Sequence, residues 1–394
     1  MTLGRLCEGL RARDHAVSVV RPRRPGIDPR GPSRDASVML VPSTPVPGYP
    51  GVRVGWPVRH LLRARWIVWR PDAVYVATPG PLGCAAVHAA HRLGLPVLSG
   101  FHTDFRRYAR HYGVAWLGRG VRGYLRRFHN RTRGTVVPST DLLAELRVEG
   151  FENLTLLGRG VDSRLFSPAH RQAGLRASWG VSPGAVVALY VGRVAPEKNV
   201  RLAIDAYRAM RRAGRVERLV VVGDGPLRGA LQSAHPDVLF CGVKTGLSLA
   251  AHYASADVFL FPSETETFGN VVLEAMASGL AVVAYDYAAA RAHLRAGHTG
   301  TLVPYGNRDA FIAAAEALAR APESVARVGP NARAQAVLCD WETVVDRFET
   351  LLTSVVARPV SLGLRDAEGV ARPLPAGPRV HRVMTPSGIG GTEC

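Results

Sequence analysis

A chain of 394 residues is long for a single hydrophobic core and points to two domains. With 47% apolar, 7% aromatic and 21% charged residues and no run of 18 uncharged apolar ones, it reads as a globular protein without a membrane span. A net charge of +19, almost all from arginine because Lys198 and Lys244 are the only lysines, partly reflects composition bias and leaves nucleic acid, anionic membrane and phosphate-bearing substrates all open.

The N-terminus has no long apolar segment with a small-residue cleavage site. "MTLGRLCEGLRARDHAVSVV" instead opens with Leu3, Leu6, Cys7 and Leu10 at helical spacing and only then gives a strand. The first strand of a doubly wound sheet is normally central and feeds a Gly-rich loop. Its absence would leave two inner strands with unpaired backbone groups, and a misplaced start or truncated chain is preferred here over a rearranged sheet. Short apolar runs then alternate with amphipathic stretches: "AVSVV" (16 to 20), "SVMLV" (37 to 41), "AVYVAT" (73 to 78), "PVLSGF" (96 to 101), "GTVVPS" (134 to 139) and "LTLLG" (154 to 158). The second half repeats the rhythm with "VVALYVG" (186 to 192), "RLVVVGDG" (218 to 225), "VLFCG" (238 to 242), "DVFLFPS" (257 to 263) and "LAVVAYD" (280 to 286). Continuous apolar strands alternating with helices imply parallel sheets covered on both faces, hence two doubly wound α/β domains facing a cleft.

The expected division is an N-terminal, acceptor-side domain over 1–165, a Pro/Gly-bounded linker over 166–184 and a nucleotide-binding domain over 185–340. A last helix over 341–357 is expected to pack back on the first domain, and 358–394, with five prolines and six glycines, reads as a mostly disordered tail. The five cysteines (Cys7, Cys84, Cys241, Cys339, Cys394) are scattered without CxxC spacing, which suggests a reducing cytoplasm and no zinc site.

"SETETFGNVVLEAMASG" (263 to 279) sets Glu266 in a loop ahead of a helix expected over 270–278 and Glu274 about one turn inside it. A helix start at the end of a strand attracts an anion, typically a phosphate. Flanking carboxylates there are too far apart to share a proton, and vicinal sugar hydroxyls are their natural partners. On spacing alone both glutamates read as solvated surface residues, and the rest of the chain changes that reading. "YVGRVAPEKN" (190 to 199) adds Arg193 past a strand and Lys198 before the next helix, on the edge where doubly wound sheets bind ligands. "VVVGDGP" has a GxG turn after a strand but lacks the third glycine and following acid of a dinucleotide fingerprint.

Taken together, "GRGVDSRLF" (158 to 166), "GRVAPEKN", "VVVGDGPLR" (220 to 228) and "FPSETETFGNVVLEAMASGLAVVA" (261 to 284) resemble, in order, the motifs of the retaining family 4 glycosyltransferases of GT-B fold. "FHTDFRRYARHYG" (101 to 113) and "YLRRFHNRT" (124 to 132) are similar to the branch of bacterial GDP-mannose-dependent α-mannosyltransferases acting on lipid acceptors, with sulfoquinovosyltransferases nearby.

The resemblance implies that Arg193 and Lys198 hold the donor's phosphates beside Gly192, that Glu266 contacts hydroxyls of the transferred sugar and that His102 reaches that sugar from the N-terminal domain. Phe268, Gly269, Asn270 and Val271 would present the helix start to the distal phosphate, Glu274 would grip the ribose, and Val243 and Lys244 would border the base. It implies transfer of a hexose, mannose in that branch, from GDP-mannose or another nucleotide-diphosphate sugar to a lipid or glycan, with retention and without metal. No Asp-x-Asp occurs anywhere in the chain. From Arg106 to Arg133 there are nine arginines, no acid and five interleaved aromatics, which suits an anionic membrane surface and so a peripheral position on the inner face of the plasma membrane. A solvated basic face and single-stranded nucleic acid are the competing readings, the last disfavoured. A nucleotide-sugar epimerase of the same fold, or an inactive remnant that only binds the nucleotide sugar, are the rival functions.

Overall fold

The computed structural model describes residues 2–29, 31–33, 35–46, 49–102, 118–214, 216–266, 268–357, 382–385 and 388–389. The chain divides into two compact units. Unit 1 comprises Met1–Pro138, Leu142–Leu157 and Val345–Gly391, and unit 2 comprises Ser139–Asp141, Gly158–Val344 and Thr392–Cys394.

The first half of the chain supplies unit 1 with strands β1 (Val17–Pro22), β2 (Val38–Val41), β3 (Ser43–Val46), β4 (Tyr49–Gly55), β5 (Ala73–Val76), β6 (Val97–Gly100), β7 (Gly134–Val137) and β8 (Leu154–Leu156). All four residues of β5, β6 and β7 are buried, as expected of strands covered on both faces. The helix Pro81–Arg92 buries Leu82, Ala85, Ala86, Ala89 and Ala90 against this sheet, and its small residues let the helix approach closely. From Val345 onward the helix Trp341–Ala357 also belongs to unit 1, where Phe348 meets Tyr75 edge to face at 4.9 Å.

Unit 2 is built on β9 (Val186–Val191), β10 (Val216–Val222), β11 (Val238–Gly242), β12 (Val258–Phe261), β13 (Ala281–Tyr285) and β14 (Gly300–Val303). They form one parallel sheet in the order β11-β10-β9-β12-β13-β14. In order of appearance that is 3-2-1-4-5-6, so the strand order reverses between β9 and β12, and the crevice beyond their carboxyl ends is the ligand position of a doubly wound sheet. The stretch 166–184, expected to be a linker, is built into this unit. Trp179 is buried in its core, Arg171 donates to the carbonyls of Ala254 and Ala256, and Arg176 pairs with Asp257 at 3.1 Å.

Two strands come from beyond the last helix: β15 (Arg382–Thr385) and β16 (Gly388–Ile389). The sheet of unit 1 runs β2-β1-β15-β5-β6-β7-β8, parallel throughout, and β16 joins β4 and β3 in a small antiparallel sheet. This corrects two expectations. β1 and β5 are not left with bare inner edges, because β15 lies between them, and the segment read as a mostly disordered tail contributes these two short strands. The rest of 358–394 lies outside the described residues.

Candidate donor site

At the carboxyl end of β12 the chain runs through Ser263 to Glu266 and on to the helix Asn270–Ala277, whose N-cap is Gly269 with φ +92°. A side chain in that left-handed conformation costs about 1–2 kcal/mol, which explains the glycine. No side chain caps this helix, Val272 N turns back onto the Gly269 carbonyl, and the helix end is polarised positively. Asn270 Oδ1 is buried and accepts no hydrogen bond, an arrangement that costs about 1–3 kcal/mol unless a bound molecule supplies a donor.

Across the switch point, the turn after β9 brings Lys198 to this loop. Its Nζ donates to Glu266 Oε1 at 2.6 Å and to the Thr265 carbonyl at 2.7 Å, while Ser263 Oγ donates to the same Glu266 oxygen at 2.8 Å. Both partners are largely shielded, their side chains 19% and 15% exposed. An ammonium has three N–H donors and a carboxylate two oxygens. Among the hydrogen bonds of the described residues, one Lys198 N–H and all of Glu266 Oε2 are therefore unspent. The Glu266 backbone is pinned by Tyr287 OH at 2.8 Å, and Glu264 is held through its carbonyl by Tyr305 OH and through its carboxylate by Asn199 Nδ2.

Arg193 follows Gly192 at the end of β9 with a half-exposed guanidinium 3.7 Å from Glu197 Oε1. Its carbonyl accepts from Tyr190 OH, and burial, together with the Glu266 and Glu197 charges, pushes that phenol well above its ordinary range, so it remains a neutral donor. The turns after β9, β10 and β11 are stitched by Gly192 N to Val222 O and Gly223 N to Gly242 O. Gly223, at φ +137°, comes so close that a Cβ there would stand 2.0 Å from the Gly192 carbonyl oxygen. Val243 and Lys244 follow directly on Gly242, and Val243 is exposed.

Glu274 is 8% exposed and one of its oxygens accepts from the buried Tyr253 hydroxyl at 3.0 Å. Phe268 is buried, with the Arg159 guanidinium 6.0 Å above its ring, and Val271 packs at the margin of the core. The structure thus gathers Gly192, Arg193, Lys198, Glu266, Phe268, Gly269, Asn270, Val271 and Glu274 around the ends of β9 and β12. His102 belongs to unit 1, just past β6, where Nε2 lies 2.6 Å from Tyr75 OH. The sequence reading missed Ser263, Asn199, Tyr253, Tyr287 and Arg159. Ser263 and Asn199 lie inside quoted motifs near a chosen residue and Arg159 lies inside the quoted "GRGVDSRLF", whereas Tyr253 and Tyr287 come from outside every quoted motif. Among the described residues no cluster of His, Cys, Asp and Glu could hold a metal ion.

A family model described as Glycosyltransferase Family 4 matches residues 1–165, and one described as Glycosyl transferases group 1 matches 185–321. A GDP-mannose-dependent alpha-mannosyltransferase of Mycobacterium tuberculosis is 35% identical over 347 residues, 87% of this chain and 89% of that protein. The chain belongs to the family 4 glycosyltransferases. Another protein of the same name from Mycolicibacterium smegmatis is 36% identical over 90% of this chain and 92% of its own length. In fold this glycosyltransferase is similar to sucrose-phosphate synthase from Thermosynechococcus elongatus, with TM-score 0.71, 21% identity and coverage of 90% and 92% of the two chains. Its architecture is GT-B, two Rossmann-like domains. These relatives are transferases and give no support to the epimerase alternative.

Proposed function

We propose that this glycosyltransferase moves mannose from GDP-mannose to a lipid or glycan acceptor, with retention of configuration and without a metal ion. The observation that carries the donor assignment is the Lys198–Glu266 pair at the start of the helix Asn270–Ala277. It leaves one ammonium N–H for a phosphate and one carboxylate oxygen for a sugar hydroxyl, side by side. The relatives named for GDP-mannose support the choice of base and sugar.

In the reaction the bond from the sugar's anomeric carbon to phosphate breaks, and its electron pair leaves with the nucleoside diphosphate. The acceptor hydroxyl bonds to that carbon on the same face and gives its proton to the departing phosphate. Lys198, Arg193 and the helix amides stabilise the growing negative charge, and one such donor contributes about 10²–10³ in rate. Glu266 orients the sugar, Glu274 holds the ribose, and Val243 with Lys244 borders the base.

The acceptor side lies in unit 1. The helix Gly118–His129 and the helix Pro81–Arg92 frame a hollow of about 380 Å³ lined by Val87, His88, Tyr124, Arg127, Phe128 and Arg131. An apolar floor with a cationic rim suits an anionic lipid, and we assign the protein to the inner face of the plasma membrane. Residues 103–117, which carry three of the nine arginines and three of the five aromatics of the basic run, lie outside the described residues. No helix among the described residues is long and apolar enough to cross a membrane.

The test is a thermal-shift and hydrolysis panel of GDP-mannose, GDP-glucose, UDP-glucose and UDP-sulfoquinovose, each with and without EDTA. GDP-mannose should give the largest shift and the fastest turnover, unchanged by chelator. A uridine donor ahead of it, or activity lost with EDTA, overturns the assignment.

A further inference from the structure

Beyond β11 unit 2 leaves two large apolar side chains open to solvent. Val243, directly after the strand, is 42% exposed, and Leu247, in the first turn of the helix Gly246–Ser255, is 67% exposed. Gly242, at φ +69°, closes the strand, and the guanidinium of Arg228, the first residue of the helix Arg228–Ala234, lies against it. A Cβ on Gly242 would stand 3.3 Å from Nη1 and 3.5 Å from Nη2, so both terminal nitrogens sit side by side at the strand end. Asp224 steadies them: its Oδ2 accepts from Arg228 Nη1 at 3.4 Å, and its Oδ1 accepts from the Gly225 amide at 2.8 Å. Lys244 is a second cation nearby. Burial raises the pKa of the Cys241 thiol, and the charges of Lys244 and Arg228 both pull it back. From Val238 to Ala256 the sequence holds no acid. The end of β11 therefore offers an apolar surface and N–H donors, and its one nearby carboxylate is already engaged.

A ligand matched to this surface is flat, apolar on its faces and lined with acceptors along one edge. Guanine has that form, because O6 and N7 lie side by side and both accept, and the arginine fork meets them with two parallel N–H bonds. Adenine carries an amino donor where guanine has O6, and uracil has O4 without a ring-nitrogen acceptor beside it. The position suits a base as well. Val194 N, next to Arg193, donates to the Asp224 carbonyl at 2.9 Å, and β11 lies two strands from β9, about 10 Å, the reach from a diphosphate across a ribose to its base. We propose that Arg228 is the base-reading residue of the donor site, donating to O6 and N7 of a guanine that lies on Val243 and Leu247 with Lys244 at its edge. This rests on the nucleotide-sugar reading of the site and names the atoms by which the purine is chosen.

The experiment measures, by isothermal titration calorimetry on the full-length chain, the affinities of GDP, IDP, ADP, UDP and 7-deaza-GDP. IDP lacks guanine's 2-amino group but keeps O6 and N7, so it should bind within about threefold of GDP, whereas ADP and 7-deaza-GDP should bind about 10- to 100-fold more weakly. Arg228→Met should remove the preference for GDP over ADP, and Arg228→Lys should nearly do so, because an ammonium keeps the charge but not the fork. Leu247→Ser should weaken GDP and IDP alike, by about threefold or more, through lost contact with the ring. Wild-type GDP ahead of IDP by about tenfold or more would move recognition to the N1 and 2-amino edge and overturn the assignment. A GDP-to-ADP ratio unchanged in Arg228→Met would overturn it too, and full preference kept in Arg228→Lys would overturn the two-point contact. None of these results touches the donor reading. UDP binding ahead of GDP in the wild type defeats that reading itself, and the inference falls with it. The wild-type series requires no variant to fold.

Discussion

Replacing Lys198 by alanine separates the electrostatic account of the donor site from a structural one. At 2.6 Å the Lys198–Glu266 attraction is about 6 kcal/mol gross at an effective dielectric of about 20, most of it cancelled by desolvation of the two groups. The alanine variant loses this contact and the hydrogen bond to the Thr265 carbonyl, leaving Glu266 with Ser263 as its side-chain donor. A net loss of about 1–3 kcal/mol follows, or a Tm fall of about 2–10 °C. If the ammonium also stabilises the leaving diphosphate, transfer should drop by about 10²–10³ at a temperature well below that Tm. Glu266→Gln should keep the loop geometry better yet lose comparable rate, and the double variant should lose less than the product of the two, because each single change disables the same pair. The assay is initial-rate transfer at 20 °C, with folded protein in every variant verified by circular dichroism. A Lys198→Ala rate within about tenfold of wild type, less than about 1.4 kcal/mol in barrier, would refute a phosphate role.

Gly223→Ala should destabilise unit 2 by about 2–4 kcal/mol, since its Cβ would strike the Gly192 carbonyl at an already strained φ. A Tm equal to wild type would contradict the stitched-turn geometry. Burial pushes the His293 imidazole down to about 4, and an unfolded histidine titrates near 6.5, so the unfolded chain takes up the proton first. The associated stability is present above pH 6.5 and is lost as pH falls toward 4, about 3 kcal/mol at most. Urea unfolding along that window should show the loss, and His293→Gln should flatten it. Vesicle sedimentation should recover more protein with anionic than with neutral lipid, and Arg127→Ser and Arg131→Ser should each cost about 1 kcal/mol of binding. Equal recovery on both vesicle types removes the membrane.

Much of the second unit was legible because its strands are continuous apolar runs. "VLFCG" became β11 with the same bounds, and "VVALYVG", "DVFLFPS" and "LAVVAYD" became β9, β12 and β13 with ends displaced by a residue or two. The helix after Gly269 was also legible, because a glycine followed by apolar residues at helical spacing has few other uses. The hairpin β3–β4 was missed: "STPV" and "YPGVRVG" carry proline and glycine, which usually mark loops. β14, "GTLV", is too short to show a period.

The donor loop shows where local patterns stop. Spacing placed Lys198 and Glu266 on the same sheet edge, but their direct pairing follows from β9 and β12 being neighbours at the switch point, which no local window contains. That pairing also revises the simple picture of a pocket made positive by two free cations. Lys198 is shielded and held by Glu266 at 2.6 Å, whereas Arg193 is half-exposed and only loosely paired with Glu197 at 3.7 Å, so a diphosphate entering beside them meets the polarised helix end and Arg193 as the less compensated positive groups. A site arranged in this way avoids a buried bare charge before the donor arrives. On binding, the lysine keeps its carboxylate partner and adds a phosphate oxygen. The salt dependence of donor affinity should therefore follow Arg193 more than Lys198. Arg193→Gln should flatten a plot of GDP affinity against ionic strength, and Lys198→Met should shift that plot downward with its slope kept.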